Sequence, residues 1–335
     1  MPLREQIKLA VERQHLSRAQ ASAAVEAMLE GRAPPAQIAA LLVALRMKGE
    51  TPDEITGFAR TARAMATPIQ VDGALLDTCG TGGDGLATFN ISTLAAIVSA
   101  ACGAKVAKHG NRAASSMCGS ADVLEQLGVK IDLAPEGVKR CIDEAGIGFL
   151  FAPVFHPSFR FAGVPRRELA LRTVFNVLGP LCNPAGAKYQ ALGVADGSMA
   201  AKMADVLMRL GVERAIVFHG GDGMDELSVS SPSFVIEIDG SRKEYELDPR
   251  ELGLAAAPVE SMRGGGPEEN ARIAREVLAG AGGPRRDVVL LNSAAALRAA
   301  GLAGSWKDGL GMAAEAIDSG RAGEVLDRWA KVSQS

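Results

Sequence analysis

The sequence predicts an α/β protein with a small N-terminal all-helical domain and a larger α/β domain whose central, mostly parallel sheet is flanked by helices. Residues 3–70 show helical spacing of apolar residues and no strand pattern. From Leu75 onward, short apolar runs alternate with amphipathic segments, which is typical of βαβ units and a parallel sheet. We therefore divide the chain into residues 1–70 and residues 71–335.

Two capping signals mark helix starts in the first unit. Ser17 with Gln20 and Thr51 with Glu54 each form a capping-box pattern, and Pro52 occupies the first helical position of the second one. Between them apolar residues recur at helical spacing, and Gly49 is placed to end that helix. The apolar faces of this unit can pack on the rest of the chain or on a second subunit, and we expect a dimer contact.

The second unit is predicted to begin with a strand at Leu75–Asp77 and a helix at Ser92–Cys102. Further strands are predicted at 105–108, 129–132, 148–151 and 214–218, with helices at 122–127, 135–145 and 199–210. Residues 233–238 and 243–247 flank Asp239-Gly240 and predict a hairpin that adds one antiparallel strand. Residues 268–279, 287–300 and 312–331 are predicted to be mostly helical.

Composition excludes several classes of protein. The 335 residues carry a net charge of only -3 and 4% aromatic residues, which disfavours a nucleic-acid surface. The five cysteines form no Cys-x-x-Cys pair, which argues against a disulfide framework or a zinc site. No stretch has the apolar length of a membrane span, and the N-terminus lacks a secretory apolar segment, so we expect a cytoplasmic protein.

The stretch Asp77–Thr93 is the strongest candidate for a binding loop. It places glycines, aspartates and hydroxyls between a predicted strand and a predicted helix. Glycines let backbone N–H groups approach an anion, and the helix start adds unpaired N–H groups. A phosphate or diphosphate is the expected ligand, while a tight βα turn with no ligand is the alternative.

A second loop concentrates positive charge and hydroxyls. Lys108 and Arg112 flank His109, Gly110 and Asn111, and Ser115, Ser116 and Ser120 follow. This composition suits a phosphate together with a sugar, because cations supply charge and serines supply directional donors. A solvated surface turn is the alternative.

Acidic and basic residues farther along the chain complete the candidate site. Asp225 and Glu226 follow a predicted strand end, where they are placed to bind Mg²⁺ against a diphosphate, although a plain acidic loop is the alternative. One of the arginines Arg166, Arg167 and Arg172 can bind a planar carboxylate. The alternative is a surface ion pair with Glu168, which we expect for Arg167 and Arg172. His156 lies between two prolines and fits a structural role as well as a ligand contact.

The ordered set of these motifs resembles the anthranilate phosphoribosyltransferase family of tryptophan biosynthesis. The motifs are 77–93, 108–116, 119–125, 172–184 and Asp225-Glu226, with 264–271 and 290–294 in the tail, and together they span nearly the whole chain. The resemblance implies the nucleoside phosphorylase-like fold, a small domain joined by helices from about 165–185, and a homodimer through that domain. It also implies phosphoribosyl diphosphate (PRPP) and anthranilate as substrates, two Mg²⁺ per subunit, and possible contact with an amidotransferase subunit of anthranilate synthase.

The resemblance assigns site residues by position. It assigns PRPP to Gly80, Gly83, Asp84, Thr88, Asn90, Ile91, Ser92, Thr93, Lys108, His109, Gly110, Asn111, Arg112, Ala113, Ala114, Ser115, Ser116 and Ser120. It assigns anthranilate to Gly80, His109, Asn111 and Arg166, and metal to Ser92, Asp225 and Glu226. Departures from the family pattern are Met117-Cys118 in place of more polar residues, Ala170 in place of a usual glycine, Cys182 in place of a threonine, and the order Val164-Pro165 before Arg166.

The reaction implied is displacement of diphosphate from the ribose anomeric carbon by the arylamine. Such a reaction depends on charge stabilisation and on orientation of the two substrates. No general base is assigned, and His109 is the candidate. A pyrimidine nucleoside phosphorylase and a non-catalytic nucleic-acid-binding homologue are the alternatives.

Overall fold

The computed structural model describes residues 2–113 and 117–335. Ala114, Ser115 and Ser116, all named above as PRPP-binding, lie outside the described residues. No helix in the described part of the chain is long and apolar enough to cross a bilayer.

The described residues form a seven-stranded sheet in the order β3-β2-β1-β4-β5-β6-β7. The strands are β1 Leu76–Gly80, β2 Val106–Gly110, β3 Ile147–Phe151, β4 Tyr189–Gly193, β5 Arg214–Gly220, β6 Ser233–Asp239 and β7 Ser241–Leu247. Strands β1 to β5 are parallel to one another, and β6 pairs antiparallel with both β5 and β7, so that β7 again runs in the direction of β1–β5. The mostly parallel sheet is thus confirmed.

Helices precede, connect and cover this sheet. They are α1 Arg4–Val11, α2 Arg18–Leu29, α3 Pro35–Lys48, α4 Pro52–Ala64, α5 Ile91–Ala101, α6 Ser120–Gln126, α7 Pro135–Ala145, α8 Ala152–Phe155, α9 Arg160–Leu169, α10 Phe175–Leu178, α11 Ala200–Arg209, α12 Pro267–Leu278, α13 Pro284–Ala299, α14 Trp306–Asp318 and α15 Arg321–Ser333. Both predicted capping boxes are present, at Ser17 with Gln20 and at Thr51 with Glu54. Gly49 ends α3 with a positive φ of 84°.

Two large apolar cores lie on opposite faces of the sheet. One core joins α5 and α12–α15 to the sheet, with Trp329 of α15 fully buried in it. The other core is shared by α1–α4, α9 and α11 with sheet residues such as Val217. The N-terminal helices therefore do not form an isolated bundle, because their apolar faces continue into the core of the sheet.

Parallel pairing places the carboxyl ends of β1, β2 and β4 side by side. Gly80 at the end of β1 pairs in register with Gly193 at the end of β4, and Gly110 ends β2 beside Phe151. Loops that follow these strands therefore meet at one edge of the sheet, where open α/β sheets bind ligands.

The structure corrects one predicted strand, confirms the hairpin and adds one strand that was not predicted. Residues 129–132 are not a strand; Lys130 N–H donates to the Ser333 hydroxyl of α15 at 2.9 Å, so this segment pairs with a helix end instead of a sheet edge. The hairpin is confirmed as β6 and β7, and it adds one strand, β6, that runs antiparallel to the rest of the sheet, as predicted. Strand β4 was not predicted from the sequence.

Ala170, the departure from glycine noted above, ends α9 in the left-handed region with φ 49° and ψ 28°. An L-residue is strained there because its Cβ crowds the backbone. Ala170→Gly is expected to raise the free energy of unfolding by about 1 kcal/mol in urea titration. Ala314→Gly inside α14 is the matched change in a right-handed helix, where we expect a loss of similar size. Equal losses in the two variants would contradict strain at Ala170.

Candidate active site

The Gly-rich loop after β1 runs directly under the acidic pair that follows β5. A Cβ on Gly80 would overlap the Asp225 carboxylate, and a Cβ on Gly83 would overlap the Arg172 guanidinium. Gly83 also has a positive φ of 76°. These two positions therefore require glycine because other chain segments approach the backbone closely.

Both acidic residues accept hydrogen bonds from this loop. Gly82 N–H donates to Asp225 Oδ2 at 2.6 Å, and Ser92 N–H, in the first turn of α5, donates to Glu226 Oε1 at 3.1 Å. The start of α5 thus directs the Ser92 N–H toward a carboxylate, as the helix dipole favours.

Three carboxylates crowd together at this point. Burial raises the pKa of Asp225, and the charge of Asp84 raises it further. Burial also raises the pKa of Glu226, with the charge of Asp225 acting in the same direction. Asp84 Oδ2 is buried and has no hydrogen-bond partner among the described residues. Such a group favours a bound cation, because a cation removes the mutual repulsion of the carboxylates.

Lys108 provides positive charge at the base of the cleft. Its side chain is buried, and Nζ donates to the Thr78 carbonyl at 2.6 Å and to the Ser92 hydroxyl at 3.3 Å. Burial lowers the pKa of Lys108, while the nearby charge of Asp77 opposes that change. The ammonium is thus directed from β2 toward the first turn of α5.

The loop after β2 is folded back by Asp122 of α6. Asp122 Oδ2 accepts hydrogen bonds from Ala113 N–H and Gly119 N–H, each at 2.9 Å. Arg112 donates to Asp122 at 2.9 Å and to Glu125 Oε1 at 2.9 Å. The predicted PRPP contact Arg112 therefore lines the cleft but is already paired with two carboxylates.

These loops enclose a cleft of about 580 Å³. Its lining includes the described residues predicted to bind PRPP and metal: Gly80, Gly83, Asp84, Thr88, Asn90, Ile91, Ser92, Thr93, Lys108, His109, Gly110, Asn111, Arg112, Ala113, Ser120, Asp225 and Glu226. We call this space the diphosphate cleft. Cys118 and Arg172 also line it.

A second cavity of about 740 Å³ adjoins the diphosphate cleft, and we call it the aromatic cavity. Its walls include Phe159, Phe175 and Arg166, whose guanidinium lies 5.1 Å from the centre of the Phe175 ring. Burial lowers the pKa of Arg166. The two cavities share Cys79, Gly80, Thr81, His109, Gly110, Asn111 and Asn176 as a common wall.

His109 in this wall is neutral. Its Nδ1 lies 3.0 Å from the Gly179 carbonyl, which can only accept, so Nδ1 carries the proton and Nε2 has a lone pair. Burial, together with the charge of neighbouring His156, 5.1 Å away between ring centres, lowers the pKa of His109 to about 3. Nε2 is buried and has no partner among the described residues.

His156 has the structural role that the sequence left open. Its Nε2 lies 2.9 Å from the Cys182 carbonyl, and burial lowers its pKa to about 4. His156 therefore packs behind His109 and also lines the aromatic cavity.

The predicted pairing of Arg167 and Arg172 with Glu168 was wrong, since neither ion pair occurs in the described part of the chain. Arg172 does not pair with Glu168; its Nη1 donates to the Gly82 carbonyl at 2.7 Å, across ninety positions of sequence. No local pattern signals a contact of that range, so sequence reasoning missed it.

Two asparagines of the tail motifs support the site from behind. Asn270 Nδ2 donates to Asn90 Oδ1 at 2.9 Å, and Asn90 Nδ2 donates to the Cys118 carbonyl at 3.2 Å. Asn292 Oδ1 accepts a hydrogen bond from the Leu227 N–H at 2.9 Å, and Asn292 Nδ2 donates to the Leu227 carbonyl at 3.0 Å. Leu227 is the residue after Glu226. From sequence these motifs had a family likeness but no assigned role, because an asparagine on a helix has no distinctive spacing.

Two family models match the chain. Residues 72–323 match the glycosyl transferase family a/b domain, and residues 4–66 match the glycosyl transferase family helical bundle domain. The helical bundle and the α/β unit of this chain therefore both match the glycosyl transferase family, and this is the class of protein to which the chain belongs.

Particular relatives narrow the class. Anthranilate phosphoribosyltransferase 2 of Streptomyces coelicolor is 57% identical over 320 residues, covering 95% of this chain and 96% of the relative. The anthranilate phosphoribosyltransferase of Thermus thermophilus has a TM-score of 0.94 at 47% identity, with coverage of 98% and 99%. The enzyme from Saccharomyces cerevisiae, solved in complex with PRPP and Mg, has a TM-score of 0.90 at 28% identity, with coverage of 99% and 98%. The chain belongs to the anthranilate phosphoribosyltransferase family.

The neutral histidines predict a pH effect on stability. Above pH 6.5, the ordinary value, His156 is neutral in both the folded and the unfolded state and contributes nothing. As pH falls from 6.5 toward about 4, the unfolded chain binds a proton that the folded chain does not, so stability falls. The free energy of unfolding is expected to fall by about 1.4 kcal/mol per pH unit from this residue alone.

Urea titrations of the wild type and His156→Gln between pH 7 and 4.5 isolate this contribution, since all other groups titrate in both proteins. The stability difference between them should narrow as pH falls. Parallel curves would show that His156 is not held neutral by the fold.

Proposed function

We propose that this protein transfers the phosphoribosyl group of PRPP to the amine of anthranilate, which yields N-(5-phosphoribosyl)anthranilate and diphosphate. The observation that carries the proposal is the wall shared by the diphosphate cleft and the aromatic cavity. An anomeric carbon held in the cleft beside Gly80 would face an arylamine held in the cavity. Family membership supports the same reaction.

PRPP would occupy the diphosphate cleft. The Gly-rich loop would offer backbone N–H groups such as that of Gly83 to the diphosphate. Lys108, Asn111 and Arg112 supply cationic and amide donors from the loop after β2. Ser115, Ser116 and Ala114 belong to the proposed PRPP set through the family resemblance alone.

Ser92, Asp225 and Glu226 would hold Mg²⁺, with Asp84 close by. Asp84 Oδ2 is buried without a partner in the described part of the chain, and the pKa values of Asp225 and Glu226 are raised. Both observations fit a divalent cation, because its charge would offset the repulsion among the carboxylates. In the described residues, no group of three histidine, cysteine or acidic side chains is arranged to hold a metal by itself. Mg²⁺ often completes its shell with substrate phosphates, so this arrangement fits it, and we propose two ions per subunit. Bound Mg²⁺ would neutralise charge on the leaving diphosphate.

Anthranilate would occupy the aromatic cavity. Arg166 can bind its carboxylate with a planar guanidinium, and Phe175 lies against that guanidinium. The neutral His109 presents an unpaired Nε2 lone pair in the same wall, which suits an amine donor. Gly80 and Asn111 complete the proposed contacts.

The chain's own contribution to the reaction is orientation and charge stabilisation. The anomeric carbon exchanges its bond to a diphosphate oxygen for a bond to the amine nitrogen, and the amine then releases one proton. Lys108 stabilises the negative charge that develops on the leaving group, because a cation in a buried site acts strongly. His109 can accept a hydrogen bond from the amine, but its low pKa makes it a weak base, so no general base is assigned.

We also propose a homodimer through the helical unit. Val11, Met47 and Leu171 are large apolar side chains exposed on α1, on α3 and just after α9. An apolar groove of about 390 Å³ lies between α1 and α3 beside Leu169, and a second copy would cover it. The small domain would comprise residues 1–70 with helices from about 165–185, since α9 packs on α2 and α3. Cytoplasmic location and contact with an amidotransferase subunit stay predictions.

Loss of anthranilate fluorescence on mixing the protein with PRPP and Mg²⁺ tests the proposed function. Phosphorolysis of thymidine and retention of DNA are the parallel assays for a nucleoside phosphorylase and for a nucleic-acid-binding protein. Activity in either of those assays without anthranilate consumption would refute the proposal.

Arg166→Ala is expected to raise the anthranilate KM by about tenfold or more, since a charge-assisted bidentate contact is lost. The PRPP KM should stay nearly constant, because Arg166 does not line the diphosphate cleft. Arg328→Ala on α15 is the matched variant, in which an exposed arginine that lines neither cavity loses the same side chain. If both KM values rise equally in Arg166→Ala, the division of the site is wrong.

Replacing the acidic pair as Asp225→Asn with Glu226→Gln should abolish activity through loss of metal binding. The side-chain shapes are kept, so the change removes charge with little change in packing. Mg²⁺ titration followed by calorimetry in the presence of inorganic diphosphate measures binding directly. Mg²⁺ dependence unchanged from the wild type would refute the metal role.

A further inference from the structure

The peptide between Gly82 and Gly83 is held from one side. Arg172 Nη1 donates to the Gly82 carbonyl at 2.7 Å, and the same guanidinium packs against the Gly83 α-carbon so closely that a Cβ would not fit. Both glycines have positive φ, 68° and 76°. The Gly82 and Gly83 backbones line the diphosphate cleft.

A glycine pair can turn such a peptide over at little cost, because glycine accepts either sign of φ. The two orientations differ greatly for an anion. With the carbonyl toward the cleft, its oxygen would repel a diphosphate; with the N–H toward the cleft, the peptide would donate to it. A trans peptide directs its N–H opposite to its carbonyl. Among the described residues, Gly83 N–H makes no hydrogen bond.

The adjoining peptide is also fixed. Gly82 N–H, which belongs to the preceding peptide, donates to Asp225 Oδ2 at 2.6 Å. Asp225 thus holds one peptide of the Gly-rich loop and Arg172 holds the next. Both residues are distant from the loop in sequence. Fixing both leaves the Gly83 N–H as a preset donor.

We propose that Arg172 is a positioning residue that captures the Gly82 carbonyl and so keeps the Gly83 N–H directed at the diphosphate of PRPP. The inference rests on the proposed function and adds a residue to it. Charge-assisted donation from a guanidinium to a carbonyl is a strong enough contact to select one orientation of a glycine peptide.

Arg172 also connects this peptide to the aromatic cavity. It follows Ala170, which ends α9, and it precedes Thr173, whose N–H donates to Asn176 Oδ1 at 2.9 Å. Asn176 lines both cavities, and α9 carries Arg166. The orientation of the Gly83 N–H, the proposed donor to the diphosphate, therefore depends on residues 170–176. This segment joins α9 to the wall that the two cavities share.

Arg172→Met tests the proposal, because methionine keeps an unbranched side chain but removes every donor. We expect the Kd for Mg²⁺ with inorganic diphosphate, measured by calorimetry, and the KM for PRPP to rise about tenfold. The anthranilate KM should stay near the wild-type value. Arg172→Lys keeps one charged donor and should recover most of the loss. Arg250→Met, at an exposed arginine remote from the site, is the matched control.

A crystal structure of ligand-free Arg172→Met separates positioning from direct attraction. The proposal predicts that the Gly82–Gly83 peptide turns over or takes more than one orientation. Weaker diphosphate binding with this peptide unchanged would overturn the proposal in favour of a direct charge contact, and unchanged binding would overturn it outright. Wild-type turnover is measured first, so failure of the wild type to consume anthranilate would count against the proposed function and not against the role of Arg172.

Discussion

The buried carboxylate of Asp77 is the interaction on which the site depends. Asp77 on β1 accepts the backbone N–H of His109 on β2 at 3.1 Å and the side-chain amide of Asn183 at 2.8 Å. Asn183 also donates to the Ala107 carbonyl at 2.8 Å. Burial raises the pKa of Asp77, while the hydrogen bond from Asn183 and the charge of Lys108 oppose that change. One carboxylate thereby ties two adjacent strands to the segment that follows α10.

This anchor explains why the two substrate spaces share a wall. The Gly-rich loop leaves β1 three residues after Asp77, and the cationic loop leaves β2 directly after the His109 that Asp77 holds. Because β1 and β2 are adjacent and parallel, the loops open at the same edge of the sheet. Lys108 and Glu226 both contact Ser92 at the start of α5, so the site holds charge of both signs before any ligand arrives. Such preorganised charge is the form of catalysis that a phosphoribosyl transfer needs.

Much of this arrangement could be predicted from the sequence where the signal is local. Capping boxes, the Asp239-Gly240 turn and the Gly-rich loop each depend on residues a few positions apart. Residues 129–132 misled the prediction because buried apolar alternation looks alike in a strand and in an extended connection, and only the Ser333 contact distinguishes them. Strand β4 was missed, and the role of Arg172 was misjudged, because both depend on pairing with distant segments. The substrate assignments came from the ordered motifs, and the structure adds the contacts that hold those residues in place.

A crystal structure of the protein with PRPP and Mg²⁺ tests the central claim most directly, namely that the diphosphate cleft and the aromatic cavity meet at the residues they share, so that the anomeric carbon faces the nucleophile. The account predicts the diphosphate between the Gly-rich loop and Asp225-Glu226, with the anomeric carbon beside Gly80 and Asn111 and facing the aromatic cavity. PRPP with its anomeric carbon directed away from that cavity, or its diphosphate bound beside Arg166, would contradict the account.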